Sequence, residues 1–90
     1  AVPTPQAQTD AVRVTRWDFA PGARTGPHRH EVDYVVVPLT DATIEIRTAD
    51  GVTPGVMRAG ESYARTAPVE HDLVNTGDAP LSFVEIELLR

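Results

Sequence analysis

Turn-forming residues interrupt this sequence so often that a long helix has no room to form. The chain of 90 residues carries six glycines and eight prolines, and its apolar runs end at these residues or at aspartates. No segment keeps the helical period of apolar positions over ten residues, whereas "ATIEIRT" alternates apolar and polar side chains as a strand does. The sequence therefore predicts an all-β fold. Short strands with frequent turns favour a sandwich or a small barrel, since these architectures limit exposed sheet edges.

Single segments can be assigned from the same signals. "HEVDYVVVPL" is rich in β-branched residues and is apolar on both faces at its centre, which indicates a strand covered on both sides. "ADGVTPG" predicts a hairpin turn. Residues 1–10 contain two prolines and little periodicity, so we expect an extended N-terminal arm there and a single domain over residues 11–90.

Charge and composition exclude several classes of partner and site. The net charge of −5 argues against nucleic acid or an anionic membrane surface as a partner, because both would repel the chain on average. The absence of cysteine excludes disulfides and thiolate metal ligands. The longest apolar run, residues 34–39, is too short to span a bilayer, and we expect a cytoplasmic protein. A chain this short has a small core, so a bound metal or a partner subunit could add stability.

Two of the three histidines lie one residue apart, just before the valine-rich run. On a strand, His28 and His30 would point to one face about 6.5 to 7 Å apart, which lets two imidazoles chelate one ion. Asp33 joins them only if the chain bends near residues 31 and 32, and His71 joins them only if the fold brings its strand alongside. Three imidazoles and a carboxylate suit a divalent transition metal (Fe, Mn, Ni or Zn) and leave open positions. The alternative is that these are ordinary surface histidines, since a lone His-x-His pair is a weak signal.

The spacing around these histidines resembles the cupin family. The first cupin motif has a glycine, five residues and His-x-His, and Gly22, His28 and His30 fit it. Asp33 stands closer to the histidine pair than the glutamate of that motif does, and Thr40 stands where a glycine is expected.

The second cupin motif is matched without a gap. Gly60, His71 and Asn75 occupy its glycine, histidine and asparagine positions, while Thr66 and Pro68 replace its proline and glycine. All three histidines therefore fall on the positions of the family's metal ligands.

The resemblance implies a double-stranded β-helix, a jelly-roll barrel that holds one divalent metal ion in its mouth. It implies His28, His30, His71 and Asp33 as the metal ligands, and commonly a homodimer that exchanges an N-terminal strand. Trp17 could lie at such an interface or be an ordinary core residue.

Two functions remain open, because cupins carry many chemistries. The first is a small metalloenzyme that acts on a small organic carboxylate or carbonyl substrate at open metal positions. Tyr63 and Arg65 share one strand face, so the phenol could donate a proton or hydrogen bond and the guanidinium could hold a carboxylate; alternatively they are core and surface residues. The second function is a metal-dependent module that binds or senses a small ligand without turnover, and a cupin without metal is a third possibility. The sequence also resembles small single-domain cupins associated with β-alanine degradation.

The sequence assigns a role to Asn75 and leaves the roles of Glu85 and Glu87 open. Asn75 precedes a turn, which favours a structural role. Glu85 and Glu87 share one face of the last strand, but the sequence does not show whether that face is buried.

Overall fold

The structure, a computed structural model, describes residues 1–90 and contains nine strands and no helix. The all-β prediction is confirmed, and no helix has the length and hydropathy that crossing a membrane needs. The strands are β1 (Val2–Gln8), β2 (Val12–Phe19), β3 (His28–His30), β4 (Tyr34–Pro38), β5 (Ala42–Thr48), β6 (Gly51–Met57), β7 (Tyr63–Arg65), β8 (Val69–Asn75) and β9 (Leu81–Leu88).

The strands form two antiparallel sheets. The first sheet has the order β1-β2-β9-β4-β7, and the second has the order β3-β8-β5-β6. Strands that follow each other in sequence often lie in different sheets, so the chain crosses between the layers repeatedly. This winding is the double-stranded β-helix that the resemblance implied.

The core fills the space between the two sheets. The rings of Phe19 and Phe83 lie 5.6 Å apart between their centroids, and both side chains are almost fully buried. Full burial of a large apolar side chain contributes roughly 1.5 to 3 kcal/mol, so this cluster holds the layers together. Its eight buried members are Phe19, Tyr34, Val36, Ile44, Met57, Leu73, Leu81 and Phe83.

The hairpin between β5 and β6 lies where the sequence predicts a turn. Thr48 pairs with Gly51, so the turn consists of Ala49 and Asp50 alone, and Pro54 of the predicted turn lies inside β6. Pro54 is tolerated there because β6 is an edge strand, where proline's missing N–H need not remove a ladder hydrogen bond.

The N-terminal segment forms the other long edge. Residues 2–8 pair with β2 as β1, carry prolines at positions 3 and 5, and are exposed at every position. These residues are therefore the outer strand of the first sheet.

The loop before β3 is fixed along β8. The N–H of Gly22 donates to the carbonyl of Asn75 at 2.9 Å, and the N–H of Thr25 donates to the carbonyl of Leu73 at 3.0 Å. Gly22 has a φ of 80°, a left-handed conformation that favours glycine. This anchored loop determines where β3 begins beside β8.

Asn75 holds the end of β8 in place. Its side chain is fully buried; Nδ2 donates to the carbonyl of Ala79 at 2.9 Å, and Oδ1 accepts from the N–H of Gly77 at 3.1 Å. Nδ2 also lies within 3.4 Å of the carbonyl of Phe19, next to the anchored loop. The structure therefore gives Asn75 the structural role that its position before a turn favoured.

Candidate metal centre

The pairing of β3 with β8 brings the three histidines together. His28 lies directly opposite His71 in the antiparallel register, and His30 lies two residues further along β3, so it shares the face of His28. The condition set by the sequence, that the strand of His71 lie alongside, is met by this register.

The three imidazoles point their Nε2 atoms at one another. The Nε2 atoms of His28 and His30 are 3.0 Å apart, and those of His30 and His71 are 3.2 Å apart. Nitrogen ligands about 2.0 to 2.1 Å from a common ion, at right angles to each other, would be separated by about 3 Å. The ligand atoms of all three side chains lie within 4.8 Å of one another, so the set fits one transition metal ion.

A hydrogen bond to the Nδ1 side of the ring fixes the orientation of His28. Its Nδ1 lies 2.9 Å from the carbonyl of Gly26, which can only accept, so Nδ1 carries the proton and Nε2 keeps its lone pair. The N–H of Gly26 in turn donates to Oδ1 of the buried Asp72 at 3.0 Å, and Arg24 pairs with the same carboxylate. Such partners of a ligating histidine fix its tautomer and ring orientation.

Replacing Asp72 by alanine is expected to weaken binding of Zn(II) by about tenfold or more, because the loop that orients His28 loses its anchor. Isothermal titration of the purified variant measures this change. Glu70→Ala is the matched control, since Glu70 is a solvent-exposed carboxylate on the same strand. Equal losses in the two variants would mean that Asp72 has no orienting role.

Burial favours the neutral, ligand-competent form of two imidazoles. It lowers the pKa of His71 to about 4, with a further contribution from the charge of His28, and it also lowers the pKa of His30. A metal ligand must offer an unprotonated nitrogen, which these environments supply at neutral pH.

The structure does not bring Asp33 to this group. Its Oδ1 accepts a hydrogen bond from the N–H of Ala67 at 2.8 Å, and the residue is exposed. The expected bend does occur at Val32, but it carries the chain from β3 in one sheet to β4 in the other. Ala67 lies in the segment between β7 and β8, where the chain also passes from one sheet to the other. The hydrogen bond from Ala67 to Asp33 therefore links the two segments that connect the sheets.

The carboxylate near the histidines is that of Glu85. This side chain is buried, and its Oε1 lies 3.6 Å from Nε2 of His30, while its Oε2 accepts from Nε1 of Trp17 at 3.3 Å. Burial raises the pKa of Glu85, opposed by the hydrogen bond from Trp17. Glu85 lies on the same face of β9 as Phe83, and an inward Phe83 would have indicated an inward Glu85. The sequence does not decide this, because Val84 and Ile86 make the other face of β9 apolar as well.

His30 lies beside His28 and His71, which line a cavity of about 500 Å³ between the sheets. Trp17 lines it and packs against the core, so it has an intramolecular role. The polar and aromatic side chains of its wall include Trp17, His28, Tyr34, Tyr63, Arg65, His71 and Glu85.

Tyr63 and Arg65 both line this cavity. Tyr63 is partly buried and packs against the core, whereas Arg65 is exposed and its guanidinium lies 5.4 Å from the centre of the Tyr63 ring. Burial raises the pKa of Tyr63, so its phenol stays protonated. Tyr63 is therefore packed against the core and Arg65 lies at the surface, and both also line the cavity of the candidate site.

Comparison with known proteins decides the family. Residues 15–87 match the family described as "Cupin domain". The chain belongs to the cupin family. This cupin is 50% identical over 88 residues to the β-alanine degradation protein BauB of Pseudomonas aeruginosa, a match that spans 98% of this chain and 93% of that protein.

Solved structures agree with this assignment. A cupin domain from Bordetella pertussis Tohama I superimposes with a TM-score of 0.94 at 44% identity, covering 97% of this chain and 91% of that one. An oxalate oxidase in complex with the substrate analogue glycolate has a TM-score of 0.68 at 23% identity over 89% of this chain and 43% of its own, and shares the fold. The predicted family, including its small single-domain type, is confirmed.

Proposed function

We propose that this chain is a divalent-metal-binding cupin and a small metalloenzyme that acts on a short organic carboxylate or carbonyl compound. The observation that carries the proposal is the convergence of three imidazoles, two of which, those of His28 and His71, line one cavity of about 500 Å³. Cavities of this size accommodate small organic ligands.

Three histidines are an incomplete ligand set for a transition metal. A divalent ion (Fe, Mn, Ni or Zn) held by His28, His30 and His71 would supply a Lewis acid with positions left for water or substrate. Glu85 adds a buried carboxylate next to the imidazoles, which partly balances the charge of such an ion.

Arg65 supports an anionic substrate. The chain has eight basic residues, all arginines, and six of them form ion pairs with carboxylates, whereas Arg65 and Arg58 form none. Of these two, only Arg65 lines the cavity of the histidines. A free guanidinium binds a carboxylate through paired, charge-assisted hydrogen bonds. Tyr63, whose phenol stays protonated beside it, would donate a hydrogen bond or proton to the bound substrate.

The similarity to BauB suggests the chemical type of the substrate. That relative is named for β-alanine degradation, and 50% identity along nearly the whole length of both chains supports a related role. We therefore propose a short carboxylate derived from β-alanine, in which oxygen replaces the nitrogen, as the first compound to test.

The decisive experiment combines metal analysis, binding and turnover. Tag-free protein is expected to contain close to one transition metal ion per chain. It is expected to convert at least one short carboxylate, in assays run both with and without oxygen, and to lose this activity when the ion is chelated. Arg65→Gln should raise KM by about tenfold to a hundredfold because a charge-assisted contact to the carboxylate is lost. Arg58→Gln, which removes the other unpaired guanidinium, should leave KM unchanged.

The remaining outcomes separate the alternatives. A metal-loaded protein that binds short carboxylates but converts none would be the non-catalytic binding or sensing module. Protein without a transition metal under any loading condition would contradict the proposal.

A further inference from the structure

One buried polar atom of the cavity wall has no partner inside the protein. The hydroxyl of Tyr34 makes no hydrogen bond, although the residue is only 2% exposed. It is the single buried side-chain nitrogen or oxygen atom in the structure without such a bond. Buried polar groups in folded proteins are nearly always paired, because an unpaired donor carries its full desolvation penalty. An acceptor from outside the chain would remove this penalty.

The ring of Tyr34 lies against the candidate metal centre. Its ring stacks on the imidazole of His30, with 4.0 Å between the ring centroids and an angle of 25° between the planes. Tyr34 also lines the same cavity as His28 and His71. The hydroxyl itself has almost no accessible surface, so a molecule on the open side of the histidines would reach it once the side chains that cover it move aside, with the strands in place.

The unpaired guanidinium lies on the neighbouring strand. Tyr34 of β4 and Arg65 of β7 are direct cross-strand partners, and directly opposite residues have Cβ atoms about 4.5 to 5.5 Å apart. The two side chains differ in depth, since Tyr34 is buried and Arg65 is exposed. One short molecule can thus meet the guanidinium at the rim and the hydroxyl at the floor.

We propose that Tyr34 is a specificity-determining residue whose hydroxyl donates to the ligand, so that the site selects short carboxylates with a second oxygen acceptor. The carboxylate binds Arg65, and the second oxygen, from a hydroxyl, carbonyl or further carboxylate group, accepts from Tyr34 beside His30. This inference rests on the proposed function, because it assumes a carboxylate in this cavity.

Two probes of nearly equal size test the selection. 3-Hydroxypropanoate and butanoate differ only in that a hydroxyl replaces a methyl group. Trp17 is the only tryptophan and lines the cavity, so its fluorescence reports binding to the Zn(II)-loaded protein. The wild-type protein is expected to bind 3-hydroxypropanoate roughly tenfold more tightly than butanoate, the value of about one hydrogen bond, and Tyr34→Phe should bind both alike.

The outcomes distinguish this inference from the proposed function. An unchanged preference in Tyr34→Phe, with wild-type metal content, would overturn the role of Tyr34 alone. Failure of both probes to bind the wild-type protein would overturn the carboxylate site and this inference together.

The thermal stability of the ligand-free variant is an independent readout. Removing a hydroxyl that has no partner in the fold should leave the melting temperature of Tyr34→Phe equal to or above that of the wild-type protein. A decrease of more than about 5 °C would show that the hydroxyl bonds within the chain, which would also overturn the inference.

Discussion

Replacing His71 by alanine is expected to lower the affinity for Zn(II) by at least about a hundredfold. Structural zinc sites with four ligands bind with roughly 10 to 16 kcal/mol, so each ligand contributes about 3 kcal/mol, which corresponds to a hundredfold change. His71 faces His28 across the β3–β8 pair, and the chain has no fourth histidine that could replace it. Competition with a chromophoric chelator measures the loss.

Asp33→Asn is the matched comparison for this experiment. The Asp33 carboxylate accepts from the backbone of Ala67 and lies outside the histidine group, and an asparagine retains an oxygen acceptor there. Its metal affinity should equal that of the wild-type protein. A loss as large as that of His71→Ala would mean that Asp33 coordinates the ion and that the corner between β3 and β4 rearranges on binding.

Removing the metal is expected to lower the melting temperature by more than about 10 °C. An ion present at a thousand times its dissociation constant stabilises the folded state by about 4 kcal/mol, and each kcal/mol shifts the melting temperature of a domain this size by about 4 to 8 °C. Only 15 of the 90 residues are buried, so the ion would add much to a small core. Scanning calorimetry with and without a chelator measures the difference.

The same scan on His71→Ala provides the control. Because this variant should hold the ion poorly, chelation should change its melting temperature little. Equal melting temperatures for the loaded and the stripped wild-type protein would show that ion binding is not coupled to folding, contrary to this expectation.

The sequence was sufficient to predict an all-β chain from its residues, and the barrel type and the grouping of the three imidazoles through the resemblance. The alternation of apolar residues and the frequency of turns exclude long helices without any knowledge of the tertiary structure. The histidines could be grouped because two of them share a strand face and the third occupies a motif position. What the residues alone did not provide was the register that places His71 opposite His28.

The carboxylates could not be assigned in the same way. Asp33 follows His30 closely in sequence, but the chain changes sheets between these two residues, and local spacing does not show such a crossing. Glu85 lies far away in sequence on a strand with apolar side chains on both faces, so its inward direction depends on which face meets the second sheet. Similarly, the hydroxyl of Tyr34 is unpaired only because of what surrounds it in three dimensions.

The placement of the histidines on strands of different length has a kinetic consequence. His28 and His30 lie on β3, which has three residues and a neighbour on one side only, whereas His71 lies on the seven-residue β8 inside its sheet. Local opening of a short edge strand costs less free energy than unfolding the whole domain. Separating β3 from β8 would break the chelate while β8 stays paired with β5. The residence time of a bound ion would then depend on the fraying of three residues and not on the unfolding rate of the domain.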